Sequence, residues 1–308
     1  MSDAGERRRP GATLGAPALE LINRRYSCRL YRDEPVAPAT LRDLMSFLES
    51  HTVGPFGSRA RFAVVAAAPS DPRALRRLGT YGFIKGAQAF LVGAVERGPK
   101  DCEDYGYLVE QAILRATGLG LQSCWLGGTF TRSSFARRLG SLRREELMPA
   151  VVALGYPGDD GGAARIRERE AGSRRLPASS LFFEGRLGEP LETTVASDGA
   201  AEADLSAILT AVRMAPSATN KQPWRLVRRG GEWHFLLARS KGYGQGSLVF
   251  TMLRLADLQR VDLGIAMCHF ELVAREAGRS GEWVVEEPSD LLPPDAGVEY
   301  VATWRERA

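Results

Sequence analysis

The feature that most constrains this fold is a segment that occurs twice. Asp104-Tyr105-Gly106 opens a run of apolar residues at helical spacing that ends at Gly120. The same pattern returns 158 residues later, from Asp262-Leu263-Gly264 to Gly278. In both copies a glycine stands where a helix C-cap is expected. A repeated helix of this kind predicts two related halves rather than one continuous domain.

A second pair of segments matches in the same order. A helix that begins near Leu41 leads through a Gly/Pro loop into the apolar run 62–68, and one that begins near Leu205 leads through Ala215-Pro216 into 224–227. Any two α/β segments resemble one another, but two matches at nearly the same offset favour duplication. The strands expected from apolar runs are 62–68, 90–95 and 150–155 in the first half, and 224–229, 234–238 and 298–303 in the second.

The chain divides at a stretch of small polar residues rich in glycine, between about 183 and 203. Such a composition is typical of a linker. The sequence predicts a flexible N-terminal tail over 1–18, a first half over 19–186, a linker over 187–203 and a second half over 204–308. A loop is expected over 157–173, where glycines and alternating arginine and glutamate follow one another.

Composition excludes several classes of protein. The 308 residues contain no run of 18 apolar residues, and the tail lacks the apolar stretch of a signal peptide, so we expect a cytoplasmic chain without membrane association. Four cysteines without CxxC spacing and three histidines exclude a disulfide framework and a zinc site. The net charge of +4 is spread along the chain with no basic stripe and interleaved aromatics, so nucleic-acid binding is not expected.

Three segments carry residues suited to a phosphate and a flat ring. In Arg24-Arg25-Tyr26-Ser27-Cys28-Arg29 several guanidiniums and a hydroxyl lie close together, and a guanidinium fork matches phosphate oxygens two at a time. The run 215–224, Ala-Pro-Ser-Ala-Thr-Asn-Lys-Gln-Pro-Trp, offers directional hydrogen bonds at a proline-restricted loop. In 118–128 a helix end leads into a strand that finishes in Gly127-Gly128, where a ligand can approach bare backbone N–H groups. Taken singly, each segment has another explanation: the first as a solvated arginine run, the second as a capped turn and the third as a common glycine pattern.

Together, and closed by Ala153-Leu154-Gly155-Tyr156-Pro157, these segments resemble the nitroreductase family of FMN-dependent oxidoreductases over about 19–180 and 203–280. Ordinary members carry all the motifs in one shorter chain and dimerise. Here the arginine motif lies in the first half and the Pro-Ser-x-x-Asn motif in the second. The resemblance therefore implies an α+β fold with two nitroreductase-like halves, each a small mixed sheet packed with helices, fused as an intramolecular pseudo-dimer.

The split of the motifs also implies one non-covalent FMN per chain. A second site would need an arginine motif near 188–204 and a Pro-Ser-x-x-Asn motif near 52–62. The first stretch has no arginine, and the second lacks the asparagine and the Gln-Pro-Trp. A monomeric pseudo-dimer is expected, with no metal.

Site residues follow from the resemblance by position. Arg25, Ser27 and Arg29 would hold the FMN phosphate, aided by Arg175 of the Arg-Arg-Leu-Pro run. Lys85, one of four lysines, would lie near the flavin N1–O2 edge, where a cation stabilises the anionic reduced ring. The remaining residues implied at the ribityl chain and ring are Tyr26, Trp125, Leu126, Gly127, Gly128, Pro216, Ser217, Ala218 and Asn220.

The resemblance implies an oxidoreductase in which NAD(P)H passes hydride to flavin N5 and a small flat acceptor, such as a nitroaromatic or quinone, then takes its place. These ping-pong kinetics need no catalytic side chain, and none of the three histidines lies in a motif; His269, on the repeated helix, is expected to be packed. One alternative is a flavin-binding sensor or carrier with little turnover, whose stacking slot Trp125, Tyr81 or Phe83 would close. Another is a duplicated scaffold that only contacts proteins.

Overall fold

The fold is described from a computed structural model. It describes residues 14–66, 75, 82, 84–128, 130–158, 174–192, 200–241, 256–292 and 297–307. Most of the expected tail, residues 159–173 of the expected loop, and residues 193–199 of the expected linker lie outside these ranges, as do Tyr81 and Phe83.

Two long helices form the centre of the described fold, and shorter helices surround them. Each long helix ends where its repeated pattern ends, just before Gly120 and Gly278, which both have positive φ. The second long helix is capped by Asp257, whose carboxylate accepts the backbone N–H groups of Gln259 and Arg260. The helices are α1 (Ala18–Arg24), α2 (Pro38–Ser50), α3 (Asp101–Gly118), α4 (Arg132–Arg138), α5 (Ala200–Met214) and α6 (Leu258–Glu276).

The strands form two five-stranded sheets. The first has the order β1-β2-β5-β3, with β4 also paired to β2, and is antiparallel; the second has the order β6-β7-β8-β10-β9, in which only β6 is parallel to its neighbour β7. The six expected strands correspond to β1, β2, β5, β7, β8 and β10. The strands are β1 (Ala60–Ala66), β2 (Ala89–Glu96), β3 (Gln122–Leu126), β4 (Glu146–Leu147), β5 (Val151–Gly155), β6 (Phe182–Glu184), β7 (Trp224–Arg229), β8 (Glu232–Ala238), β9 (Gly281–Val284) and β10 (Val298–Glu306).

The two sheets follow the same path. In each, an antiparallel hairpin is followed by a long helix, and the strand after that helix lies at the edge beyond the last strand. Strand β6, which precedes the expected linker, pairs with β7 in the second sheet. Helix α5 begins at Ala200, so it occupies the end of the interval 187–203. The chain thus passes from one sheet to the other before the second half begins.

The long helices α3 and α6 cross at the glycines of the repeated motif. A Cβ added at Gly106 would collide with the carbonyl oxygen of Val261, and one added at Gly264 would collide with that of Glu103. Each glycine therefore lets the backbone of one helix touch the other. Because the two contacts lie at corresponding positions of the repeat, the halves meet face to face along their central helices.

The main apolar core is shared between the halves. It joins α1, α3 and β2 of the first half to α5, α6 and β8 of the second. Helix α1 packs against α3, α5 and α6, so it lies at the junction of the halves. No helix in the described ranges is long and apolar enough to cross a membrane.

Candidate functional site

The arginine motif runs along the free edge of the first sheet. Ser27 pairs in parallel with Ser123 of β3, and the backbone N–H of Cys28 donates to the Ser123 carbonyl at 2.9 Å. Tyr26 is buried, and its backbone N–H donates to Gln122 Oε1 at 3.3 Å. The half-buried Ser27 side chain and the buried Ser123 hydroxyl are brought together in this way.

Lys85 lies beside the same motif. Its backbone N–H donates to the Arg29 carbonyl at 2.9 Å, and its carbonyl accepts from the backbone N–H of Tyr31 at 2.9 Å. The side chains of Arg29 and Lys85 are both exposed. Two cations and the Ser27 hydroxyl therefore stand on two adjacent backbone segments, which is an arrangement suited to an anion.

The Trp125–Gly128 segment ends β3 and meets the second half. Leu126 is buried and pairs with Val151. A Cβ added at Gly127 would lie 2.6 Å from Leu258 Cδ1, so this glycine packs against the first turn of α6. Gly128 is exposed, and a Cβ there would meet nothing within 4 Å. The segment thus leaves open space beside bare backbone at its end.

Trp125 points into the interior. Its indole N–H donates to Glu110 Oε2 at 2.8 Å, and its ring packs edge-on to Tyr105 with 6.5 Å between centroids. A side chain held in this way is packed against the core rather than standing free over the neighbouring glycines. The residue implied by the resemblance is at the site, but its indole belongs to the site's inner wall.

The Pro-Ser-x-x-Asn loop follows the C-terminus of α5. Pro216 is buried, and the Ser217 hydroxyl accepts the backbone N–H of Gln222 at 2.9 Å. The Asn220 amide donates to the Arg174 carbonyl at 2.9 Å. The guanidinium of Arg175 donates to the carbonyls of Met214 and Ala215 at 3.0 and 2.6 Å, so Arg175 holds the helix end that precedes the loop.

Strain is concentrated in this loop. Thr219, Asn220 and Gln222 have φ of 50°, 57° and 49°, and they are three of the four non-glycine residues with positive φ in the described ranges. Such conformations persist only where surrounding contacts enforce them, and they cluster at functional sites. Here the Gln222 side chain supplies contacts: it accepts from the Leu176 N–H at 2.9 Å and donates to the Arg174 and Asn220 carbonyls.

Helix α6 brings the loop to the glycine segment. Both Asp262 carboxylate oxygens accept the backbone N–H of Ala218, at 3.0 and 3.1 Å. Asp262 lies one turn after Leu258, which packs on Gly127, so the two residues share a face of the helix. Ala218 from the second half and Gly127 from the first therefore flank the same two turns of α6.

A buried polar network connects the arginine motif to both halves. Glu110 of α3 accepts the Trp125 indole, lies 3.8 Å from Arg25 Nε and lies 3.1 Å from His269 Nε2 of α6. His269 Nδ1 in turn contacts the Ala211 carbonyl of α5 at 2.8 Å. Arg25 is 5% exposed and Glu110 and His269 are fully buried.

Burial acts differently on the two acidic groups near the site. Burial raises the pKa of the Glu110 carboxyl, but the hydrogen bond and charge of His269, the charge of Arg25 and the Trp125 indole outweigh it and lower that pKa. Burial raises the pKa of Asp262 well above its usual value, and Asp257 adds to this, while the Ala218 N–H opposes it only in part. Several partners thus favour the ionised form of Glu110, whereas a single backbone N–H favours that of Asp262.

The structure thus brings together the three segments singled out in the sequence. Gln222, Asp262 and Glu110 were not among the predicted site residues. Gln222 lies inside the Gln-Pro-Trp motif and Asp262 opens the repeated segment, so sequence signals existed for both. Nothing local marks Glu110 as the partner of His269, which is packed as expected. The described residues contain no group of histidine, cysteine or acidic side chains able to hold a metal.

The chain is thus an α+β protein of two sheets, in which segments from both halves contact the same face of α6. The chain belongs to the nitroreductase family: the family model described as “Putative TM nitroreductase” matches residues 18–274. No curated protein matches the sequence.

Among solved structures similar to this chain, one with a TM-score above 0.5 shares its fold. A nitroreductase structure from Thermotoga maritima covers 99% of this chain and 98% of its own, with 18% identity and a TM-score of 0.56. A nitroreductase in complex with FMN from Desulfovibrio desulfuricans covers 47% of this chain and 88% of its own, with 24% identity and a TM-score of 0.37. An oxidoreductase containing FMN covers 61% of this chain and 100% of its own, with 19% identity and a TM-score of 0.43.

Proposed function

We propose that the chain is an FMN-dependent oxidoreductase that passes electrons from NAD(P)H to a small flat acceptor such as a nitroaromatic or a quinone. The observation that carries this proposal is the composite site: one face of α6 contacts both the glycine segment of the first half, whose strand pairs with the arginine motif, and the strained Pro-Ser-x-x-Asn loop of the second. A family of FMN oxidoreductases is the class in which such a site is expected.

The residues present fit the phosphate of FMN. The Ser123 hydroxyl is buried and has no hydrogen-bond partner among the described residues, and it lies in register with Ser27 at the start of the motif. Arg29 adds an exposed cation two residues after Ser27. Arg25, which is buried, would add positive charge on the interior side of the arginine motif. Together these groups are the donors that a phosphate dianion requires.

The open glycines and the rigid loop fit the ring. Gly128 leaves space and unobstructed backbone, which is what a flat ring needs to lie close to N–H groups. The loop from Pro216 to Gln222 is held in one conformation by Asp262, Gln222 and Arg175, so Ser217 and Asn220 would meet the ribityl chain and ring edge without an ordering cost. The packed Trp125 leaves the stacking face to substrates.

Bound FMN would supply hydride and electron transfer in ping-pong order, and the protein supplies binding and electrostatics. Lys85 would stabilise negative charge on the reduced cofactor. Hydride transfer through a flavin requires no general acid or base from the chain, and His269, the histidine beside the described site, is buried.

We further infer that the chain arose by duplication and acts as a monomeric pseudo-dimer with one site. The matching sheet paths, the reciprocal glycine contacts and the paired roles of Asp104 and Asp262 at corresponding loops support this inference. The corresponding loop in the first half lacks the Asn and Gln side chains that brace its counterpart.

The test is the visible absorption of purified protein reconstituted with FMN, before and after anaerobic NADPH or NADH. One flavin per chain, bleached by a nicotinamide, is the expected result. Arg29→Gln is expected to weaken FMN binding, whereas Arg186→Gln, which alters an exposed arginine paired with Glu189, leaves it unchanged. A chain that takes up no FMN contradicts the proposal, and bands that persist with both nicotinamides would instead favour a flavin carrier.

A further inference from the structure

His269 lies between two acceptors. Its Nδ1 atom is 2.8 Å from the Ala211 carbonyl, which can only accept, so Nδ1 carries a proton. Its Nε2 atom is 3.1 Å from Glu110 Oε1. The contact with Glu110 therefore needs one further proton, either on the imidazole or on the carboxyl group.

The same proton count holds in both arrangements. If His269 carries the proton, an imidazolium faces a carboxylate and the pair is neutral. If Glu110 carries it, both groups are uncharged and the pair is again neutral. In either case the charge of Arg25, 3.8 Å from Glu110, is not cancelled by that carboxyl group. The trio has a net charge of +1.

Without the histidine the net charge of the remaining groups would differ. Glu110 would then keep Arg25 and the Trp125 indole as its charged and polar partners, and both favour an ionised carboxylate. Arg25 and Glu110 would form a neutral buried pair. A phosphate group would then meet one positive charge fewer at the inner wall of the site.

We propose that His269 is a positioning residue of the second half that neutralises Glu110 and so keeps the charge of Arg25 available to the phosphate of the cofactor. This inference rests on the proposed function, because it assigns FMN to the site. It deepens that function by making phosphate recognition depend on both halves: the anchor lies in the first, and the residue that preserves its charge lies on α6 and is fixed by α5.

The alternative role for these contacts is purely structural, since a buried hydrogen-bonded pair also ties three helices together. The two roles differ in what they predict for ligands with and without a phosphate. Riboflavin has the ring and ribityl chain of FMN but no phosphate group. A structural defect weakens the binding of both ligands alike, whereas the loss of a charge weakens the binding of FMN selectively.

The experiment measures the dissociation constants of FMN and riboflavin for the full chain, for His269→Gln, for Glu110→Gln and for the double variant, with thermal unfolding of each. Glutamine at 269 retains an N–H donor for the Ala211 carbonyl but cannot carry charge. His269→Gln is expected to lower the preference for FMN over riboflavin on the order of tenfold, the effect of one charge at short range. Glu110→Gln keeps the preference, because the trio stays at +1.

The double variant gives the decisive result. Replacing both residues returns the trio to a net charge of +1, so the double variant is expected to restore the preference lost in His269→Gln even if stability falls further. The inference is overturned if His269→Gln keeps the preference, or if the double variant is no better than the single one. If the unaltered chain binds FMN no better than riboflavin, phosphate recognition itself is absent and the proposed function fails with it.

Discussion

Two loops occupy corresponding places in the halves but are built differently. Asp104 accepts the backbone N–H groups of Phe56 and Ser58, each at 2.8 Å, and Asp262 accepts that of Ala218. In the first loop the left-handed position is Gly57, with φ of 96°. In the second loop, Thr219 and two other non-glycine residues adopt positive φ.

The difference indicates which parts are scaffold and which are site. The aspartate on each central helix is common to both loops, so the tether is a property of the fold. A glycine adopts positive φ at little cost, whereas a threonine there is strained by about 1–2 kcal/mol. The second loop also has bracing side chains, from Ser217 and Gln222, that the first lacks. Strain retained on one side only is what a binding function would select.

The largest expected effect comes from removing the tethers. Asp104→Ala leaves two partly buried N–H groups without the carboxylate that accepts from them, and it is expected to lower the free energy of unfolding by about 2–4 kcal/mol, with FMN affinity unchanged. Asp262→Ala is expected to lower the free energy of unfolding by about 1–3 kcal/mol and also to weaken FMN binding on the order of tenfold. Urea unfolding and FMN titration measure both. Equal loss of FMN affinity in the two variants would remove the functional distinction between the loops.

A second expected difference concerns pH. Burial raises the pKa of Asp104, and that of Asp262 well above its usual value. Between the pKa of the unfolded chain and the raised pKa, the folded state binds more protons, so stability falls as pH rises through that interval. Asp262→Asn is expected to reduce this decline more than Asp104→Asn in unfolding measured across pH. A larger change in Asp104→Asn would contradict the ranking of the two sites.

The smallest expected effect tests the strain directly. Thr219→Gly removes about 1–2 kcal/mol of strain but adds unfolded-state entropy worth about 0.5–1 kcal/mol, so the free energy of unfolding is expected to rise by up to about 1.5 kcal/mol while FMN binding weakens. Ser58→Gly, at a position of the first loop without positive φ, is expected to lower stability by about 0.5–1 kcal/mol. Thermal unfolding with and without FMN compares them. A destabilised Thr219→Gly would show that the loop is not strained.

Much of the architecture could be predicted because it depends on local periodicity. The repeated helix beginning at Asp104 and Asp262, and the strands near 90–95 and 224–229, follow from apolar spacing and end at turn-forming residues. The short strands β4, β6 and β9 were not predicted, because two to four residues carry too little periodic signal. The pairing of β6 with β7 depends on where the chain crosses between sheets, and composition does not encode that crossing.

By itself, the sequence determined the two similar segments, the three motifs and the family they resemble, because turn chemistry and residue spacing are written in neighbouring positions. Tertiary structure decided which groups act together. Glu110 meets His269, and Gly127 and Ala218 meet one face of α6, only because the central helices cross at Gly106 and Gly264. Contacts between residues so far apart depend on the packing of whole helices, and the crossing is set by backbone contact that no single segment specifies.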